Sequence, residues 1–157
     1  MAYQVEMLEK PEAVRVCGLG GASSDRRQNV DIPELSLRFY DTAGKKKGSV
    51  LPFYVVSRDY APETGRFKLF VGGQEEAPGL EVLELPAGRW ARITVRSFMG
   101  FFWGPAIGKA KRYFYGEWLP KSGYTARNLE YEYHTEASTG RNPSIDLYFA
   151  VTQGADG

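Results

Sequence analysis

The sequence has one cysteine, Cys17, and one histidine, His134, among 157 residues. A lone cysteine excludes an internal disulfide and a thiolate metal cage, and a lone histidine leaves little room for an imidazole metal site. Charge of one sign is also missing: twenty Lys and Arg against nineteen Asp and Glu leave a formal charge of +1. A dedicated nucleic-acid binder carries a larger basic excess. No apolar run approaches the roughly 18 residues of a membrane span. The first ten residues hold Glu6, Glu9 and Lys10 instead of the apolar stretch of an export signal. The expectation is a cytoplasmic protein, off the membrane, with no metal and no cofactor. Gly18-Leu-Gly-Gly-Ala-Ser-Ser24 looks faintly like a phosphate loop. It lacks both the third glycine of the dinucleotide fingerprint and the Gly-Lys-Ser/Thr of a P-loop, and reads as a flexible turn.

What is present is a folding composition, 43% hydrophobic and 25% charged, with ten tyrosines to be explained. The length fits one domain over residues 1–157. Tyr3–Leu8 and Ala13–Leu19 read as strands. Asp31 and Glu34 have capping-box spacing, Pro33 is tolerated in a first turn, and Ile32, Leu35 and Phe39 mark one helix face, so a helix is predicted over 31–41. Lys45-Lys-Lys47 reads as a solvated loop. Val50–Ser57 and Arg66–Gly73 form a hairpin around Ala61-Pro-Glu-Thr-Gly65. Residues 80–85 and 90–97 are strands separated by Pro86-Ala-Gly88. Ile107, Ala110 or Lys111, Phe114 and Trp118 form the stripe of a helix over 105–118, ending before Pro120. Leu129–His134 and Ser144–Thr152 are the last strands.

Strand, helix, strand, strand thus occurs twice, in halves of about 1–73 and 79–152. The fold class is α+β: two β-α-β-β units give an antiparallel-rich sheet with two helices on one face and a central cleft between them. Glu130 and Glu132 share a strand face with His134, while Leu129, Tyr131 and Tyr133 take the other. A carboxylate in an aromatic groove is poorly solvated, and an incoming cation relieves that cost. A charge-assisted contact contributes on the order of 1.5–3 kcal/mol, and each facing ring roughly 0.5–2 kcal/mol. Micromolar affinity, about 8 kcal/mol, needs apolar burial besides. The alternative for both glutamates is a solvated outer face.

Gly79-Leu-Glu-Val-x-x-Leu-Pro-Ala-Gly-Arg-Trp-Ala91, Trp118-Leu-Pro-x-Ser-Gly-Tyr124, the acidic strand after it and Ile145-Asp-Leu-Tyr-Phe-Ala-Val151 together resemble the GyrI-like family, the effector-binding domains of AraC-type and MerR-type regulators. The match is strong over 79–151 and weaker over 3–72. The resemblance implies a duplicated (SHS2-type) fold binding lipophilic, often cationic, small molecules, and a cleft glutamate on the strand after the Ser-Gly-Tyr turn. The family's tyrosine two positions on is replaced here by Glu132 or His134. Glu132 is the first choice and Glu130 the second. Phe101, Phe102 and Trp103 are candidates for a lid or for core; Trp118, Tyr40, Tyr54 and Tyr148 are candidate walls, each also explicable as packing.

The expected function is a stand-alone binding domain for lipophilic or cationic small molecules. Any part in transcription would run through a partner regulator, and an unpaired edge strand would support a homodimer. The alternative is a hydrolase of strained electrophiles, similar to some GyrI-like proteins, with Glu132 or Glu130 as general base. Ser97 or Ser122 with His134 is a weaker catalytic pair. RNA stacking on Arg96–Phe102 is disfavoured by the near-neutral charge.

Overall fold

Eight strands and their covering helices follow one another in the computed structural model, which describes residues 3–96, 103–139 and 142–154. The order is β1 (Glu6–Lys10), β2 (Val14–Ser24), α1 (Gln28–Ala43), β3 (Phe53–Ala61), β4 (Arg66–Gly73), β5 (Glu81–Leu85), β6 (Gly88–Arg96), α2 (Trp103–Tyr113), a π-helical turn (Phe114–Trp118), α3 (Leu119–Ser122), β7 (Tyr124–His134), a short 3₁₀ turn (Glu136–Ser138) and β8 (Ser144–Gln153). All strands join one sheet in the order β1-β6-β8-β7-β3-β4-β2-β5. Every neighbouring pair is antiparallel. The fold class expected from the sequence is the one observed.

The strand order reads alike from both ends, with β7 against β3 at the centre. The leading strands are exchanged: β1 pairs with β6 and β5 pairs with β2. Each edge of the sheet is therefore closed by a segment from the far end of the other pairing group.

Side-chain alternation assigns the faces. Glu132 lies opposite Val55 on β3 and Leu147 on β8. Val55 belongs to the core under α1, with Leu35, Phe39 and Tyr40, and Leu147 to the core under α2, with Ile107, Ala110 and Phe114. Both helices thus cover one face, and the acidic row of β7 runs between them. Phe114 is fully buried, its ring stacked 3.9 Å above Phe149. Burial of one such ring stabilises by about 1.5–3 kcal/mol. The opposite face carries Trp90, Tyr54, Tyr131 and Tyr148 with Val16, Val56 and Phe70.

Three local expectations need correction. The glycine run at Gly18 is not a turn but part of the eleven-residue β2, paired with β4 along Cys17–Ser24. Helix α1 starts at Gln28, so Asp31 lies inside its first turn and caps nothing; its carboxylate accepts from Ser23 Oγ at 2.9 Å. Pro120 does not end the second helix. The π-helical turn ahead of it, with Leu119 N–H donating to the Phe114 carbonyl, widens the backbone where the proline ring would otherwise strike the preceding turn. The helix continues to Ser122, and Gly123, at φ 78°, then takes the left-handed conformation that turns the chain into β7. Among the described residues, no helix is long and apolar enough to cross a membrane.

Candidate functional site

A groove of about 630 Å³ opens between the start of α1 and the end of α2, within the range of small-molecule sites. Its floor is Ser57 and Glu130 from the central strands; Tyr60, Phe67 and Tyr115 supply aromatic wall, with Asp25 at one side and Lys111 at the other. Glu130 sits at the centre because β7 pairs with β3 in the register Glu130↔Ser57. A serine opposite leaves room above the carboxylate.

The acids and hydroxyls are already engaged, whereas Arg58, which also lines the groove, has a buried Nε–H with no partner among the described residues. Glu130 Oε2 is 2.6 Å from Lys111 Nζ, and Oε1 accepts from the Tyr115 hydroxyl at 2.8 Å. Both side chains of the ion pair are largely buried, 25% and 17% exposed. Burial pulls the Lys111 ammonium down, but the charges of Glu130 and Glu132 outweigh it and hold it above the ordinary lysine value. Burial pushes the Tyr115 hydroxyl far up, and the Glu130 charge adds to that. Glu132 lies one step along the row, its Oε1 3.0 Å from His134 Nε2. Burial would raise the Glu132 carboxyl; the hydrogen bond and charge of His134, with Lys111, more than reverse this and hold it low. Asp25 Oδ2 accepts from the Tyr60 hydroxyl at 2.6 Å.

Of the two glutamates read from the sequence, Glu130 lines the cavity, whereas Glu132 lies beside it, joined to His134. The proposed walls lie elsewhere. Tyr40 stacks on Phe53 inside the α1 core. Trp118 stacks on Phe114 and Tyr124, and Trp103 packs half-buried on the same α2 core. Tyr54 and Tyr148 project from the opposite face, since they pair with Tyr133 and Tyr131, the odd-numbered neighbours of the glutamates. Phe101, Phe102 and Ser97 lie outside the described residues. Tyr60, Phe67, Tyr115 and Lys111 were not singled out from the sequence as site residues. The available signal was Lys111 itself, a charge within an apolar helix stripe, with Tyr115 one turn further on.

The opposite face gathers its own aromatic cluster. Tyr131 stacks on Tyr148 at 4.8 Å, Trp90 stands edge-on to Tyr131 at 5.2 Å, and Tyr133 edge-on to Tyr54 at 5.3 Å. Burial, helped by the neighbouring Tyr133 hydroxyl, pushes Tyr54 up to about 12. A raised folded-state value means that the unfolded chain releases this proton first, so the stabilisation is complete below the ordinary tyrosine range and is lost as pH rises from about 10 to about 12. Stability measured by urea denaturation is therefore expected to fall across that window. A urea midpoint that stays constant as pH rises from about 10 to about 12 would contradict it.

Residues 7–151 match the Cass2 family of integron-associated effector binding proteins. The chain belongs to that family. No curated protein matches the sequence significantly. Among solved structures, the fold is similar to an integron cassette protein from the mobile metagenome of Vibrio cholerae (15% identity, 96% of this chain and 98% of the other, TM-score 0.68). It is similar to SAV2435 bound to tetraphenylphosphonium (12% identity, 97% and 94%, TM-score 0.68) and to the EcmrR C-terminal domain (14% identity, 98% and 99%, TM-score 0.62). At these identities the likeness is one of fold. The effector-binding family indicated by the sequence resemblance is thereby the family of this Cass2 chain.

Proposed function

We propose that this Cass2 protein binds a lipophilic organic cation in the groove between α1 and α2, with Glu130 as the counter-charge and Tyr60, Phe67 and Tyr115 against its apolar body. The observation that carries this reading is the position of Glu130: a largely buried carboxylate on the floor of a ring-lined cavity large enough for a drug-sized molecule. Lys111 already supplies a cation at that carboxylate, so the ligand's positive charge shares or takes over the place of the lysine ammonium. Membership of an effector-binding family supports small-molecule binding in general, and the tetraphenylphosphonium on SAV2435 indicates a suitable probe.

In a thermal-shift titration, tetraphenylphosphonium at 100 times its dissociation constant should stabilise the protein by about 2.7 kcal/mol, a rise of roughly 5–10 °C in a chain of this length. Glu130→Gln should remove that rise. An equal rise in Glu130→Gln and the parent would end the assignment of Glu130, and loss in Glu132→Gln alone would move it one step along β7. A hydrolase reading has less support: Glu130 would act on a water only through the lone pairs that Lys111 and Tyr115 leave open.

A further inference from the structure

On the face opposite the helices, Lys10 reaches from the end of β1 across the aromatic cluster. Its Nζ lies 4.3 Å from the Tyr148 ring centre and 5.3 Å from that of Tyr131, and donates to the Tyr131 hydroxyl at 2.5 Å. Lys10 forms no ion pair among the described residues. The two acids of its own strand are taken, Glu6 by Arg92 and Glu9 by Arg89. Arg92 is the cross-strand partner of Tyr148 and stands beside the hydroxyl of that ring. Its Nε–H is buried and has no acceptor among the described residues. Burial and the nearby Arg92 charge both pull the Lys10 ammonium below its ordinary value. Two basic groups therefore converge on Tyr148, one over its ring and one at its hydroxyl. Between them they leave one buried donor, the Arg92 Nε–H, without an acceptor among the described residues. Asp146, the acid of β8 on this face, accepts from Thr94 at 2.7 Å at the outer end of the row. An orphaned buried donor costs about 1–3 kcal/mol, and an arriving acceptor recovers it. Solvent reaches this cluster on the Arg92 side, where the Arg92 and Glu6 side chains are 28% and 45% exposed, and Tyr133 is only half-buried.

We propose that this face is a second ligand site, for a small aromatic carboxylate whose oxygens are held by Lys10 and Arg92 and whose ring packs edge-on against Tyr133 and Tyr148. The charge preference is the reverse of that in the helix-side groove, and the sheet itself separates the two sites. Aryl carboxylates fit better than alkyl ones because the wall is made of rings, which favour offset or edge contacts with a further ring. The planar guanidinium of Arg92 suits a planar carboxylate.

The test is isothermal titration of the whole protein with 2-naphthoate. The expected result is saturable binding at one site per chain. The neutral isostere 2-naphthalenemethanol should bind about tenfold more weakly or worse, the size of a lost charge-assisted hydrogen bond. Lys10→Gln should lose a similar factor, and Lys10→Arg should recover most of it. Lys10 ends an edge strand with a half-exposed side chain, so Lys10→Gln carries the test even where Arg92→Gln does not fold. Tetraphenylphosphonium at saturation should leave the naphthoate titration unchanged, which separates this site from the groove whether or not the groove binds cations. Equal affinity for the alcohol and the acid would overturn the proposal. So would unaltered binding by Lys10→Gln, displacement of naphthoate by the phosphonium, or the absence of saturable binding.

Discussion

Lys111→Met should destabilise the protein by about 3 kcal/mol or more, because it leaves Glu130 charged in a largely buried site with only the Tyr115 hydroxyl for support. Removing one member of a buried ion pair typically costs about 3–5 kcal/mol, well above the value of the pair relative to an apolar replacement. The loss also reaches Glu132, whose carboxylate is held charged partly by the Lys111 ammonium. The double variant Lys111→Met with Glu130→Gln should recover most of the stability, since no uncompensated charge then remains at the groove floor. Urea denaturation of the two single variants and the double completes a cycle whose coupling should exceed about 1 kcal/mol. Additive single effects would mean that Lys111 and Glu130 do not act as a pair, and the electrostatics assigned to the groove would fall. The cycle also bears on ligand binding: a phosphonium should stabilise Lys111→Met more than the parent, because it replaces the missing cation.

A second large effect is expected at Gly18. A Cβ placed on Gly18 would lie 1.7 Å from the Val71 carbonyl oxygen, and one on its cross-strand partner Gly72 would lie 2.1 Å from the Cys17 carbonyl oxygen. Neither obstacle is a side chain that can swing away; both are backbone inside the ladder joining β2 to β4. Gly18→Ala must therefore part these strands, and β2 also carries the edge strand β5 at this position, through Gly18↔Glu81. The expected cost is above about 4 kcal/mol, the range reserved for backbone disruption in a core, and the variant should be largely insoluble or molten in near-ultraviolet circular dichroism. Gly104→Ala is the control, since an added Cβ there meets nothing. Native-like stability in Gly18→Ala would show that β2 and β4 do not approach as closely as described.

Gly18 also shows how a residue type legible in the sequence can be assigned the wrong role. A cluster of glycines signals either turn freedom or close backbone approach, and the local pattern favours the turn. Only the partner strand, with its own Gly72-Gly73, identifies the second use, and that partner is more than fifty residues away. Lys111 is the converse case. Its place within an apolar stripe was visible, but its partner is set by how far α2 is carried across β7. The π-helical turn before Pro120 contributes to that geometry, and local propensity does not foretell it.

Alternation along β7 by itself placed Glu130 and Glu132 on one face and Tyr131 and Tyr133 on the other, because a strand has a period of two whatever surrounds it. The order of strands and helices likewise followed from hydrophobic periodicity and turn residues, and so did the α+β class. Tertiary structure decided which face the helices cover, and hence that Glu130 meets Lys111 and Tyr115 while Tyr131 and Tyr148 meet Lys10, and Tyr148 also meets Arg92. Those pairings depend on the register between strands far apart in the chain, and a register shift of one residue would exchange the two faces.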